Sequence, residues 1–281
     1  MKIACIIVNY NGSKDTIECL WSVKQYNNEV VTIVVDNASA SEDIASLEKS
    51  SNLIDKLILN SDNDGFAVAN NIGIMYAQSI HADYIVLLNN DTVLMNDIFS
   101  IMLKSIKEDE VVAPLIYDIN HQIWFAGGAI DYYKGYAYHY SELKHGKIDF
   151  LTGCCFMISA KNLEKIGLLP EEYFMYCEDV DYSLMMQNAN LKLSCNYDAK
   201  ILHKVGVSSG GQKSKFFVYY STRNRLYLLR KYKFPKRAYF YTLITRYVKY
   251  FLAHFRKNQD GIIKKAIIDY KNNNMGKNSD L

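Results

Sequence analysis

The sequence predicts a doubly wound α/β sheet, and three observations predict it. Short apolar runs alternate with amphipathic stretches through the first 116 residues. The runs are β-branched and apolar with little polar alternation, as strands covered on both faces must be. Each run then ends in a polar cluster of Asn, Asp and Gly, at the edge where open α/β sheets bind ligands.

The elements follow in order. Residues 3–8 (IACIIV) read as the first strand and 13–26 as a helix, with Ser13 as its expected N-cap. Strand 30–35 (VVTIVV) precedes helix 41–50, for which Ser41 is the expected cap. Strand 57–59 leads to helix 66–80, where Val68, Ile72, Met75 and Tyr76 share a face. Strand 84–88 (YIVLL), helix 96–107 and strand 111–116 (VVAPLI) complete the alternation. Residues 121–159 break it: Gly127, Gly128 and Gly135 among aromatics suggest hairpins, and 150–159 (FLTGCCFMIS) returns as a strand. A short helix at 161–167, a longer one at 178–189 and a strand at 191–197 follow. Helical patterns lie on either side of Pro235, and residues 272–281 are expected to fray.

Composition sets the outer bounds. The 281 residues are 49% hydrophobic and 22% charged, which suits one large core or a core with an appendage. Tyr is abundant (23, against 12 Phe and 2 Trp), and Tyr favours wet interfaces. The six cysteines at 5, 19, 154, 155, 177 and 195 form no C-x-x-C, so neither a zinc site nor a disulfide framework is expected, and a reducing compartment fits. The apolar start is too short for a signal peptide, and no run of 18 apolar residues could span a bilayer. A cytoplasmic protein is expected.

The polar edge gathers from four strands. It holds Asn9, Tyr10, Asn11 and Gly12; then Asp36, Asn37 and Ser39; then Asn60, Asp62, Asn63, Asp64 and Gly65; then Asn89, Asn90 and Asp91. Each cluster alone also reads as ordinary turn formers. Together they fit a nucleotide, with Asp36 placed to accept from a ribose hydroxyl or a base N–H. Neither G-x-G-x-x-G nor G-x-x-x-x-G-K-[ST] occurs, so a divalent metal is the expected phosphate neutraliser, with Asp91 a hard oxygen ligand for Mg²⁺ or Mn²⁺. A second acidic group, Glu178, Asp179 and Asp181, follows the aromatic run Tyr173–Tyr176. These acids suit a first helical turn, and partial desolvation beside aromatics would also raise a carboxyl pKa and make a better base.

The strings "IIVNYNG", "VVDNAS", "NDGFAVANNIG", "LLNND", "GCCFMI" and "YFMYCEDVDYSLMMQNANLKL", in that order, resemble the inverting glycosyltransferases of family 2 and their rhamnosyltransferase-like subgroup. The resemblance covers residues 3 to about 230. It implies a GT-A fold, a doubly wound mixed sheet with C-terminal amphipathic helices. It also implies that Asp36 contacts the nucleoside, that Asp64, Gly65 and Phe66 lie along the nucleotide, and that Asn70 and Asn71 approach the sugar-diphosphate. Asn9, Tyr10, Asn11, Asn37, Asn89 and Asn90 complete the donor set. Asn89–Asn90–Asp91 stands where the family has D-x-D, so Asp91 would bind metal with His203, while one carboxylate is missing at Asn89. Asp179 would be the catalytic base, with Glu178 orienting it or touching the acceptor, and Asp181 would support the helix start. Trp124, Gly153 and Cys154 would lie on the acceptor side, and Arg223, beside Asn224, would reach a diphosphate.

The implied reaction moves a sugar from a nucleotide-diphosphate donor, dTDP-rhamnose or a UDP-hexose, to a glycan or lipid-linked acceptor in bacterial surface polysaccharide synthesis, capsule or O-antigen among them. Two alternatives stand: an inactive relative acting as a membrane-bound assembly partner, kept open by Asn89, and a sugar-1-phosphate nucleotidyltransferase, which would need an Arg or Lys in the 9–12 loop that is absent there. Residues 213–257 hold 13 Lys or Arg and no Asp or Glu, interleaved with Tyr, Phe and Leu. That pattern suits a helix lying on an anionic membrane surface or one that packs on the catalytic domain with a solvated basic face, and no nucleic-acid motif accompanies it. The expected organisation is a catalytic domain at 1–212 and a membrane-associating helical region at 213–281, on the inner face of the cytoplasmic membrane.

Overall fold

The computed structural model describes residues 1–143, 146–204, 214–254 and 260–281. The expected boundary at 212 and 213 lies outside these residues. The strands are β1 (Ile3–Asn9), β2 (Val31–Asp36), β3 (Lys56–Leu59), β4 (Tyr84–Leu88), β5 (Thr92–Leu94), β6 (Glu110–Tyr117), β7 (Ile123–Phe125), β8 (Gly128–Asp131), β9 (Tyr136–His139), β10 (Cys155–Ser159) and β11 (Lys192–His203). The helices are α1 (Ser13–Tyr26), α2 (Ser41–Lys49), α3 (Phe66–Ser79), α4 (Ile98–Ser105), α5 (Ala160–Ile166), α6 (Glu178–Asn188), α7 (Lys215–Lys231), α8 (Lys236–His254) and α9 (Asp260–Lys271).

One sheet runs β3-β2-β1-β4-β10-β6-β11-β5, with β7 pairing on β6, and β8 and β9 form a separate hairpin. The first four strands in that order are mutually parallel, and so are β6 and β11. The antiparallel strand β10 joins the two blocks, which makes the sheet mixed. Both faces are covered, so β1, β2, β4 and β6 are mostly apolar between their ends and supply the centre of the core. Gly73 of α3 lets that helix close on β1: a Cβ there would meet Ile6 Cγ2 at 2.5 Å.

Two short features position the site. β10 enters antiparallel, with Cys155 opposite Leu88, and so carries Gly153 and Cys154 to the end of β4. β11 extends beyond the expected 191–197 and pairs antiparallel with β5, which sets His203 opposite Thr92. Neither β5 nor the long arm of β11 has a distinct apolar pattern in the sequence.

Three local expectations are corrected. Gly12 and Ala40 are the N-caps of α1 and α2, not Ser13 and Ser41, and neither has a side-chain capping bond. The start of α1 is served across space instead, where Ser13 N donates to Asp43 Oδ1 of α2 (2.9 Å). Residues 272–281 are not frayed. Gly276 N donates to Glu172 O (2.7 Å) and Asn278 N to the Tyr220 hydroxyl (2.8 Å).

Candidate active site

The polar edge forms as a relay of side chains. Asn90 Nδ2 donates to Thr16 Oγ1 (3.0 Å), Thr16 Oγ1 to Asn9 Oδ1 (2.6 Å), and Asn9 Nδ2 to Asp36 Oδ2 (2.7 Å). Parallel register puts Asn9 beside Asp36, so this chain links the ends of β4, β1 and β2. Asp36 is fully buried, and its other oxygen accepts from Ser39 N (2.9 Å). Asn37 is buried too, donating to Asn63 Oδ1 (2.8 Å) and accepting from Asn60 Nδ2 (3.1 Å). Asn9, Asp36 and Asn37 are thus the frame of the edge. Tyr10, Asn11 and Asp64 are exposed on it, and Phe66, Asn89 and Asn90 are partly exposed. Gly12 lies against Asn90, where a Cβ would come within 2.8 Å of its Nδ2.

The helix N-terminal to this edge is fused to the loop before α6. Gly65 has φ +97°, and a Cβ there would strike Phe174 O at 2.3 Å, so this position requires glycine on both counts. Phe66 N donates to the same carbonyl (2.9 Å). Asn70 and Asn71 are buried on α3 rather than facing outward. Asn71 donates to Leu169 O (2.9 Å) and Glu171 Oε1 (2.8 Å) and accepts from Leu169 N (2.9 Å), so its amide is used up holding the 169–171 loop. Asn70 donates to Phe66 O (2.9 Å) within its own helix.

Asp91 and His203, far apart in sequence, meet because β5 and β11 pair. Nε2 of His203 stands 3.1 Å from Oδ1 of Asp91, and Lys204 N donates to Asp91 O (2.9 Å). Both side chains are buried, yet Oδ1 of Asp91 and Nδ1 of His203 have no hydrogen-bond partner among the described residues. The 3.1 Å approach is therefore a contact without hydrogen-bond alignment. Trp124 stacks edge-on against His203 and, on its other side, His139, with centroids 4.6 and 4.5 Å apart. Burial pushes the His139 imidazole down to about 4 and keeps it neutral. An unpartnered carboxylate oxygen beside an imidazole is a donor pair that fits a divalent cation. Among the described residues, no group of three or more His, Cys, Asp or Glu gathers to hold one alone.

The second acidic group opens α6. Asp179 Oδ2 accepts from Gly153 N (3.2 Å) and Oδ1 from Val180 N (2.8 Å). Asn89 N in turn donates to Cys154 O (2.8 Å), so the end of β4 and Asp179 grip neighbouring residues of one short segment. Gly153 is packed between Phe66 and Asp179, where a Cβ would press on the Phe66 ring at 3.3 Å and on Asp179 Cβ at 3.4 Å. Burial raises the Asp179 carboxyl above the usual carboxylate range. Burial also raises Glu178, and the charge of Asp179 adds to it; Glu178 Oε2 has no partner. Asp181 is fully buried, accepting from Tyr173 (2.6 Å), Tyr232 (2.5 Å) and Lys231 (2.7 Å), and it locks α6 to the end of α7.

Arg223 has a different place from the one expected. It is 1% exposed. Its Nη2 donates to Tyr173 O (3.0 Å), Nη1 to Gly276 O (2.8 Å) and Nε to Asn224 Oδ1 (2.9 Å). Asn224 Nδ2 donates to the carbonyls of Tyr173, Met175 and Tyr176 at 2.8–2.9 Å. The pair holds the backbone between 173 and 177, where Phe174, Tyr176 and Cys177 all have positive φ (66°, 70° and 76°). Such non-glycine geometry costs of order 1–3 kcal/mol per residue and persists where surrounding structure over-determines it. Arg223 is therefore a positioning residue beneath Asp179, and the expectation that it reaches a diphosphate is corrected. No sequence signal separates it from the other arginines of α7 and α8, of which Arg230 and Arg237 are exposed. Asn224, noted only as its neighbour, is the better-placed clamp.

The family model described as glycosyl transferase family 2 matches residues 4–167. The dTDP-rhamnosyl transferase RfbF of Shigella flexneri is 26% identical over 290 residues, spanning 95% of this chain and 93% of that protein. The low-salt glycan biosynthesis hexosyltransferase Agl10 of Haloferax volcanii is 25% identical over 240 residues, 79% of this chain and 74% of that one. The crystal structure of GalNAc-T7 with UDP, GalNAc and Mn²⁺ superposes with a TM-score of 0.64 at 16% identity, over 82% of this chain and 48% of the other. The chain thus spans about half the length of that neighbour, and the likeness is one of fold, GT-A.

Proposed function

The chain belongs to glycosyl transferase family 2, and from that premise we propose that it transfers a hexosyl or rhamnosyl group, with inversion, from a nucleotide-diphosphate sugar to an acceptor hydroxyl. The observation that carries this reading is the placement of Asp179. Its carboxyl is raised by burial, is held by Gly153 N, and stands one short segment away from the polar end of β4. Raised but still ionisable near neutrality, it is suited to take the acceptor proton as that oxygen attacks the anomeric carbon. Glu178, buried beside it, favours a neutral form that donates to the acceptor rather than competing for its proton.

The donor would lie along the exposed side of the edge, at Tyr10, Asn11, Asp64, Phe66, Asn89 and Asn90. Asp91 and His203 would hold Mg²⁺ or Mn²⁺, which when bound supplies positive charge to a diphosphate leaving group. The donor readings are dTDP-rhamnose and a UDP-hexose; the similarity to RfbF along nearly the whole chain supports the former. Trp124 and the Gly153–Cys154 turn border the acceptor side. The setting proposed is bacterial surface polysaccharide synthesis on the cytoplasmic membrane.

Membrane attachment rests on α8. Phe240, Ile244, Tyr247 and Val248 share one exposed face, at 59% and 60% exposure for the first two, with exposed Lys236 and Arg237 at its start. Among the described residues no helix is long and apolar enough to cross a bilayer. This face suits a helix lying in the interface of an anionic membrane. The test of function is a panel of nucleotide sugars with Mn²⁺ or Mg²⁺, with NMR of the product's anomeric configuration. Transfer that disappears in Asp179→Asn, with an inverted product, is the expected result. Absence of transfer across the full panel returns the inactive reading that Asn89 keeps open.

A further inference from the structure

The seam between α7 and α8 contains two guanidinium groups, Arg225 and Arg246, that make no ion pair among the described residues. Ser221 and Arg225 lie one turn apart on the same face of α7, and Arg246 Nη2 donates to Ser221 Oγ (3.4 Å). Arg225 Nη2 donates to Lys134 O in the β8–β9 turn (2.7 Å), and its guanidinium lies over Tyr136 at 5.3 Å. Arg246 is 7% exposed. The Nε of each arginine is buried without a partner, and neither makes an ion pair among the described residues. Burial lowers the pKa of both, and the charge of Arg225 lowers that of Arg246 further. The nearest described acid on this side, Asp131, is occupied by Tyr133 N and Lys134 N (both 2.9 Å). The seam lies beside the catalytic segment: Asn224, next to Arg225 on α7, donates to the carbonyls of Met175 (2.8 Å) and Tyr176 (2.9 Å), which lead directly into Cys177, Glu178 and Asp179.

We propose that Arg225 and Arg246 form an anion-binding recess that receives a phosphate group carried by the acceptor. Two desolvated like charges are costly when alone, and a phosphate answers both with forked, charge-assisted hydrogen bonds. The assignment to the acceptor rests on the transferase reading and on direction. The recess adjoins Asp179 through Cys177 and the α7–α8 seam, whereas Asp91 and His203 adjoin it through Gly153 and Asn89. The acceptor hydroxyl would then lie between the two anion-handling ends. The phosphate has two sources, a membrane-held polyprenyl diphosphate or a soluble phosphorylated glycan.

The experiment is thermal unfolding of the full chain with inorganic pyrophosphate in EDTA. A rise in Tm of about 2 °C or more at saturation is expected. It should vanish in Arg225→Gln/Arg246→Gln and persist in Asp91→Asn. Should the double variant not fold, the more exposed Arg225→Gln alone should weaken pyrophosphate about tenfold. An unchanged shift in either arginine variant, or loss of the shift in Asp91→Asn, overturns the recess. Flotation with phosphatidylcholine vesicles carrying polyprenyl diphosphate, against vesicles carrying phosphatidylglycerol and against a soluble sugar phosphate, identifies the source. Arginine-dependent binding to the first or the last supports the proposal, and arginine-dependent binding to neither overturns the acceptor assignment. A chain that transfers sugar but shows no pyrophosphate shift refutes the recess alone; a shift without transfer leaves the recess and refutes the transferase reading.

Discussion

The sheet and the C-terminal helices treat charge in opposite ways. At the ends of β1, β2 and β4, amide, hydroxyl and carboxylate groups are linked to one another: Asn90, Thr16, Asn9 and Asp36 form one continuous relay. α8 differs. Ala238, Thr242 and Arg246 face inward, while Phe240, Ile244 and Tyr247 face out. Tyr239 and Leu243 also pack inward, against the cluster of Val218, Leu226 and Ile267, so the outward apolar face is a second one. The difference teaches that the first region satisfies its polar groups largely within itself, while the second leaves buried guanidinium nitrogens unpartnered within and apolar side chains exposed without.

The largest expected effect breaks the catalytic side of this contrast. Asp179→Asn should lower kcat by about 10²–10⁴-fold, the range for a lost general base, measured as initial rates with donor binding checked separately. The same substitution should raise Tm. The folded-state pKa of Asp179 lies above its unfolded value, so its stabilising contribution is complete below the unfolded pKa and lost as pH rises through the folded one. At neutral pH the ionised, buried group is thus a net cost that Asn removes, and a lower Tm for the variant would contradict that account.

Next comes the joint between the regions. Asn224→Ala leaves the carbonyls of Tyr173, Met175 and Tyr176 without their shared donor. A loss of about 2–3 kcal/mol in denaturant unfolding is expected, with a fall in kcat beyond what reduced folded fraction explains. Gly65→Ala should cost about 1–3 kcal/mol through positive φ and the clash with Phe174 O.

The pH profile sharpens the comparison further. A base works when deprotonated, so kcat/KM should fall as pH drops through the raised pKa of Asp179, at a higher pH than an ordinary aspartate would give. The smallest effect in solution belongs to α8. Phe240→Ser/Ile244→Ser should leave stability within about 0.5 kcal/mol, as exposed changes do, while reducing sedimentation with anionic vesicles. Vesicle binding equal to wild type would show that this face has another use.

The strands β1 to β4 are legible as apolar runs that each end in turn residues and are separated by helical stretches. β5 is not, since Thr92–Leu94 follows β4 after only three residues, with no helix to mark it off. The meeting of Asp91 and His203 depends on that strand, so only a resemblance could suggest it. The acids of α6 were visible as carboxylates after an aromatic run, but their burial is a tertiary property. Arg223 was misjudged for the same reason: in a stretch dense with lysine and arginine, local composition cannot distinguish the one that packs inward beneath Tyr173. Residues 274–278 looked like a loose polar end because their partners, Tyr220, Arg223 and Glu172, lie far away along the chain.

That last attachment has a consequence during synthesis. The carbonyls of Asn274 and Gly276 accept from Arg223, which supports the turn carrying Asp179. A ribosome that has finished the sheet, and even α6, has not yet released the segment that steadies this turn. A nascent chain should therefore be able to fold around its donor edge well before it can turn over sugar, and competence should arrive late in translation.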